Sequence, residues 1–390
     1  MPFQLHDGIP VWGDLQENAL AQMRNCLQHD RSVTAALMAD HHLGYAQPIG
    51  GVLAYQNAVS PSGVGYDIAC GNKAVQLDLP AAEARANIST IMTDIWDTLA
   101  FGVGRKSKQP VDHALFDEPT WRLKPLAALK SLAAAQLGSI GSGNHYVDLF
   151  VDDAEHVWVG VHFGSRGFGH RVATHFIKEG GGKPNDVFPV VLPVNGNLGE
   201  DYLRAMKLAG EYAYAGRDWV CQRVARLLGA EILEEVHNHH NFAWRERHRG
   251  ADLWVVRKGA TPAYPGQRSF IGGSMGDVSV IVEGVESHES KRALYSTIHG
   301  AGRIMSRTQA AGRRRKGKRH GGKVSRRMML DWVAEQGVEL RGAGTDESPH
   351  CYRRLPQVVE HHASTLRILH TLRPIGVAMA EPFESGRNRK

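Results

Sequence analysis

Cysteine is scarce: Cys26, Cys70, Cys221 and Cys351 are the only four, and no two form a CxxC pair. Neither a disulfide framework nor a cysteine-rich zinc module is expected. Reduced thiols stay available as metal ligands. Long apolar runs are missing too. None approaches the ~20 residues that a membrane helix needs, so no membrane partner is expected. The start, MPFQLHDGIPVWGD, has no basic stretch followed by an apolar core. A secretory signal is not expected there, and the expected location is cytoplasmic. Two phosphate-binding signatures are also absent. There is no GxxxxGK[ST], and no GxGxxG set between a strand and a helix. Ordinary nucleotide-binding folds are therefore unsupported.

One stretch lacks acids altogether. GRRRKGKRHGGKVSRR, residues 312–327, holds nine Lys or Arg. The net charge is +6, yet without those nine the other 37 bases are outnumbered by 40 acids. The basicity is local. It suits a polyanionic partner such as nucleic acid, or else a solvated face. Histidine is plentiful, with 21 residues, some clustered as His41-His42 and as His237, His239 and His240. Such clusters favour metal binding over scattered surface positions.

Strand-like alternation marks 157–162 and 278–284. In the first, Val157, Val159 and Val161 share a face and His162 takes the other. Prolines make 187–194 an edge or connector. Helical spacing predicts helices over 81–101, 201–229 and 355–371. Glycines weaken a helix in the basic segment after Arg307. Strands and helices do not alternate regularly, so a doubly wound parallel sheet is not favoured. The expectation is a single mixed α/β (α+β) domain over 1–390, with glycine-rich loops converging on a site.

Five stretches carry candidate chemistry. In GVGYDIACGNKA, Asp67 and Cys70 offer a carboxylate and a thiolate three residues apart, a set that suits one metal or a sulfur bridge between two. Inert packing is the plain alternative for a buried cysteine. In LGSIGSGNHYVDL, His145 follows a glycine turn beside Asn144 and before Asp148. VHFGSRGFGH sets His162 at a strand end before a Gly-Ser-Arg loop. HNHHNFA offers three histidines, and spacing alone does not choose among them. YSTIHGAGRIMSR surrounds His299 with Gly300, Ala301 and Gly302, whose small side chains let backbone amides approach a ligand. Arginines follow, with a planar fork of donors for phosphate. A histidine so placed can attack phosphorus.

These motifs, in this order, resemble the RNA-splicing ligase RtcB family. The likeness runs from MADHHLGYAQPIGG (38–51) through GVGYDIACG, GSGNHYVD, VHFGSRG, HHN, RKGA, GGSMG and STIHGAGRIMSRTQA to TLRPIGVAM (371–379). It implies a fold of mixed sheets around a dimetal site. It also implies joining of RNA 3′-phosphate or 2′,3′-cyclic phosphate ends to 5′-hydroxyl ends, with GTP and two Mn2+ ions. His299 would become histidine-GMP. One metal would take Asp67, Cys70 and His145, and the other Cys70, His162 and His240. Asn144, Asp148, Asn241, Gly272, Gly273, Ser274, Met275, Ser279, Gly300, Ala301 and Gly302 would contact the nucleotide, and Arg307 the RNA. Asp40 and His42 match a family segment near the site. Some family members work with a small protein, archease. Three positions depart from the family pattern: Asp148 for glutamate, Met379 for lysine and Gly272 for proline. They imply relaxed guanine selectivity. Competing expectations are a metal-dependent phosphoesterase acting on RNA ends and an RNA-binding protein without turnover.

Overall fold

The computed structural model describes residues 3–183, 186–315 and 318–381, the side chains of 314–319 excepted. Two large sheets organise them. The first has eight strands. Seven follow one another in space as Ile232–His239, Gly71–Pro80, His156–Phe163, Tyr146–Asp152, Leu366–Met379, Ser279–Gly284 and Arg268–Ile271. These neighbours are antiparallel, while Glu339–Gly342 adds a parallel partner to Leu366–Met379. The second sheet has six strands, in the order Gln4–His6, Ile9–Val11, Ser32–His42, Ile49–Tyr55, Ala251–Lys258 and Asn241–His248. The architecture is mixed α/β, without the regular βαβ alternation of a doubly wound sheet.

Side-chain alternation sorts the first sheet into two faces. Val147, Leu149 and Val151 join Val157, Val159 and Val161 on one, packed with Ile91, Ile95, Val220 and Val224 from two helices. The other face gathers Ala74, Phe150, Trp158, Val236, Phe270, Ile281 and Leu372, one from each of the seven strands. A sheet that surrounds a single cluster must curl. Its two ends meet at Phe270, whose N–H donates to Asn238 Oδ1 and whose carbonyl accepts from Asn72 Nδ2, each at 2.8 Å. Gly160 leaves room for that interior: a Cβ there would sit 2.6 Å from Phe150 and 2.8 Å from Phe270.

The expected helix at 201–229 is the core of Asn197–Leu227, 31 residues long. The 81–101 expectation resolves into Ala81–Ala86 and Ile88–Thr98, parted at Asn87. Residues 187–194 contribute only the short strand Leu192–Pro193, a connector as expected. The helix expected over 355–371 is corrected. It stops at Glu360, and Leu366–Met379 is a strand. The basic segment is not one helix either. Arg307–Ala311 ends at Gly312, which has φ 83°, and the chain turns into the pair Arg313–Arg315 and Lys318–His320. Residues 316 and 317 of that segment lie outside the described residues. Ser325 then caps Arg326–Glu335 by accepting from the Met328 N–H at 3.1 Å.

Candidate active site

Two inward positions beyond Trp158 on its strand lies His162. Strand register lines up Asn72, His162, Tyr146 and Met379 across four adjacent strands. Asn72 Oδ1 lies 2.6 Å from His162 Nδ1, which leaves Nε2 facing away from the strand. Nε2 is 3.5 Å from Cys70 Sγ and 3.3 Å from Asn144 Nδ2. The Tyr146 ring stacks on His162 from one side and the His240 ring from the other, at centroid distances of 5.5 and 5.3 Å.

A tight turn aims the acid and the thiol. The Cys70 N–H donates to the Asp67 carbonyl, and Ala69 between them adopts φ 54°. Ala69 N–H donates to the Asn241 carbonyl and His240 N–H to the Cys70 carbonyl, which ties the turn to the His240-Asn241 corner. Arg217, fully buried on the long helix, donates to the carbonyls of Ala69 and Phe163. Asp67 Oδ2 reaches His145 Nε2 at 3.0 Å, and that nitrogen lies 3.7 Å from Cys70 Sγ. Ligand atoms of Cys70, His145 and His162 all fall within 4.8 Å of one another.

The electrostatics suit a cation. Burial raises the Cys70 pKa well above its ordinary value, and the Asp67 charge adds to this. Burial opposes ionisation of Asp67 as well, but contacts with His145 and its neighbours leave its pKa lowered. Burial drives His162 and His240 well below the usual imidazole value, so both are neutral, the form that binds metal. His240 Nδ1 is buried without a hydrogen-bond partner. A thiol raised by a neighbouring carboxylate, beside neutral imidazoles and an orphaned ring nitrogen, is a donor set that a divalent ion would satisfy.

His299 stands at the edge of this cluster. Its ring lies 4.9 Å from the His240 ring. Asp40, buried at the end of Ser32–His42, accepts from the backbone N–H of His299 and of Gly300, and its Oδ2 is 2.6 Å from His299 Nδ1. Burial opposes the Asp40 charge, yet His299 more than offsets it and the pKa is lowered. The carboxylate lies at ion-pair distance from Nδ1, on the side of the ring away from Nε2. Gly302, at φ 74°, lets this loop cross Asp40, since a Cβ there would sit 2.6 Å from the Asp40 carbonyl oxygen.

A cavity of about 260 Å³ opens beside His299. Nine of the eleven expected nucleotide contacts line it: Asn144, Asp148, the run Gly272 to Met275, and the run Gly300 to Ala301 and Gly302. The other two stand behind the wall. Asn241 spans Asp67 and Gly259, and Ser279 accepts from the Gly273 N–H. Burial raises the Asp148 pKa well above its ordinary value, against a hydrogen bond from the Ala378 backbone that lowers it. Arg307 also lines the cavity, already paired with Asp346 at 3.3 Å and in contact with Glu347. His237 pairs with Arg217 and Asp218, and His239 meets Tyr214, while His240 stacks on His162 and stays outside the close set of Cys70, His145 and His162. Asn72, Tyr146 and Glu347 were not singled out. Asn72 was within reach of sequence reasoning, because strand alternation sets it two residues from Cys70. Glu347 lies in DESPHCYR (346–353), a stretch that belongs to the same family likeness but assigns it no role.

A thiol–imidazole–carboxylate cluster that could hold a metal ion lies beside a glycine-walled cavity and His299. The family model described as tRNA-splicing ligase RtcB matches residues 21–128 and 124–380, and the chain belongs to that family. It is 29% identical to the RNA-splicing ligase RtcB1 of Escherichia coli over 412 residues, covering 94% of each chain. It is 31% identical to the tRNA-splicing ligase RtcB of Thermococcus kodakarensis, covering 88% of this chain and 86% of that one.

Proposed function

We propose that the protein is a cytoplasmic RNA ligase of tRNA splicing or RNA repair. It joins RNA 3′-phosphate ends, or 2′,3′-cyclic phosphates once opened by water, to 5′-hydroxyl ends, using GTP and Mn2+. The observation that carries this reading is His299, held through Nδ1 by a buried carboxylate at the mouth of a glycine-walled cavity and one ring away from the candidate ligands. In the first step His299 Nε2 attacks the α-phosphorus of GTP. An N–P bond forms and pyrophosphate leaves. An oxygen of the RNA 3′-phosphate then takes the GMP and frees the imidazole. The 5′-hydroxyl attacks the activated phosphate last, and GMP leaves. Dividing the condensation this way replaces one hard step with easier transfers.

Asp67, Cys70 and His145 would hold one ion, and Cys70, His162 and His240 the other. Two ions there would neutralise phosphate charge during transfer. The residues of this chain do the rest. Asp40 fixes the tautomer that leaves the Nε2 lone pair free. Gly300 to Gly302 and Gly273 line the nucleotide side without side chains to block it, and Arg307 serves the RNA phosphate by exchanging its carboxylate partners for it. Archease is the proposed accessory partner.

Base selectivity is proposed to be relaxed. The cavity wall holds a buried Asp148 whose pKa is raised and an apolar Met379, and the Tyr146 hydroxyl fills the space where residue 272 would carry a side chain. A Cβ on Gly272 would lie 2.1 Å from that oxygen. The test is incubation with Mn2+ and each labelled nucleoside triphosphate. The wild type should gain an alkali-stable, acid-labile label. His299→Ala should gain none, and Asp40→Asn should label about 100-fold or more slowly. Label from GTP alone would end the relaxed-selectivity reading. No label at all, with RNA 3′-phosphates still removed, would favour a phosphoesterase.

A further inference from the structure

A second cavity, of about 510 Å³, lies at the other end of the strands that lead to the site. Arg247, Arg249, Lys291 and Arg292 line it, together with His248 and His288, and among the described residues no carboxylate does. Arg247 and Lys291 have acidic neighbours outside the wall, Asp252 at 3.8 Å and Glu286 at 2.6 Å. Tyr295, also in the wall, stacks on Tyr264 with centroids 4.6 Å apart and lies 6.1 Å from the His248 ring. Cations interleaved with aromatic faces are what single-stranded nucleic acid needs: charge for the backbone and a flat ring for a base.

Two segments connect this cavity to the catalytic cluster. Asn241–His248 starts beside His240 and ends at the cavity. Tyr295 leads through Ser296–Ile298 to His299. The three strand residues Ser296–Ile298 span about 10 Å.

We infer that this basic cavity is a binding site for the phosphodiester backbone of single-stranded RNA, away from the reacting ends. It rests on the ligase reading only for the identity of the RNA. Arg249 and Arg292 are the residues to change, since neither belongs to the catalytic machinery. Fluorescence anisotropy with a single-stranded RNA bearing a 3′-phosphate and a 5′-hydroxyl should show R249E/R292E binding at least 10-fold more weakly than wild type near 0.1 M salt. The milder R249Q/R292Q should lower the slope of log affinity against log salt by about 1.4, at roughly 0.7 per lost contact. Nucleotidylation of His299 without RNA should not change in either variant, which also reports that they fold. Unchanged affinity and slope in nucleotidylated variants would overturn the inference and leave the ligase reading intact. Lost RNA binding in variants of a protein that is never nucleotidylated would do the reverse. If millimolar inorganic pyrophosphate at constant ionic strength erased the difference, the cavity would belong to a small anion and the RNA assignment would fall.

Discussion

Glu246 shows how much one side chain carries. It sits between Arg257, which is wholly buried, and His248. Burial opposes its charge, but Arg257 and His248 more than offset this and hold its pKa at about 2. A depressed carboxylate contributes stability that is complete above its unfolded value near 4.5 and is lost as pH falls toward 2. The size is about 3 kcal/mol, from 1.36 kcal/mol per pKa unit. Glu246→Gln should therefore cost about 3–5 kcal/mol at neutral pH, because it strands Arg257 without its counter-charge. It should also flatten the loss of stability between pH 4.5 and 2. Denaturant titrations across that range check both effects. At this scale the sequence was partly legible. Asp67, Cys70, His145 and His162 stood out because glycine turns flank them. His240 did not separate from His237 and His239, since all three alternate within one short run. Only the packing of Arg217 and Tyr214 against its neighbours decides which ring reaches the site.

Among the elements, strand ends deliver the chemistry. His156–Phe163 ends just before Gly164, and Gly164 passes so near the Asp67 side chain that a Cβ would lie 2.3 Å from Oδ1. Gly164→Ala should displace that carboxylate and weaken Mn2+ binding by about 10-fold or more, read by calorimetric titration. Unchanged affinity would remove Asp67 from the ligand set. The element most plainly misread was 366–371. Leu366, Leu369 and Leu372 recur every three residues, which reads as a helix. The register against Ser279–Gly284 slips between Ile281 and Val282, so that Leu369 is the extra residue. This bulge turns the strand over. Leu366 packs with Val282 in one core, and Leu372 packs with Ile281 in another. A period of two broken by a bulge imitates a period of three, and nothing local reveals it.

For the whole molecule, closure of the curved sheet is the decisive event. Asn72 and Asn238 both hold the seam at Phe270, but only Asn72 also braces His162. Asn238→Ala should lower stability by about 1–3 kcal/mol by orphaning a buried N–H and leave metal affinity unchanged. Asn72→Ala should lower both. Thermal melts with and without Mn2+ separate the two outcomes; equal effects on metal binding would sever the link drawn between seam and site. The sequence by itself determined the mixed α/β class, the principal strands and helices, the locally confined basicity and the inventory of thiol, imidazole and glycine, because periodicity, charge and motif order are local properties of the chain. The tertiary structure alone decided the rest: that the His240 ring stacks on His162, that Asp40 meets the His299 loop across 259 residues, and that four basic side chains share a second cavity. Those depend on how two sheets curl and pack, and such contacts between distant residues leave no spacing in the sequence to read.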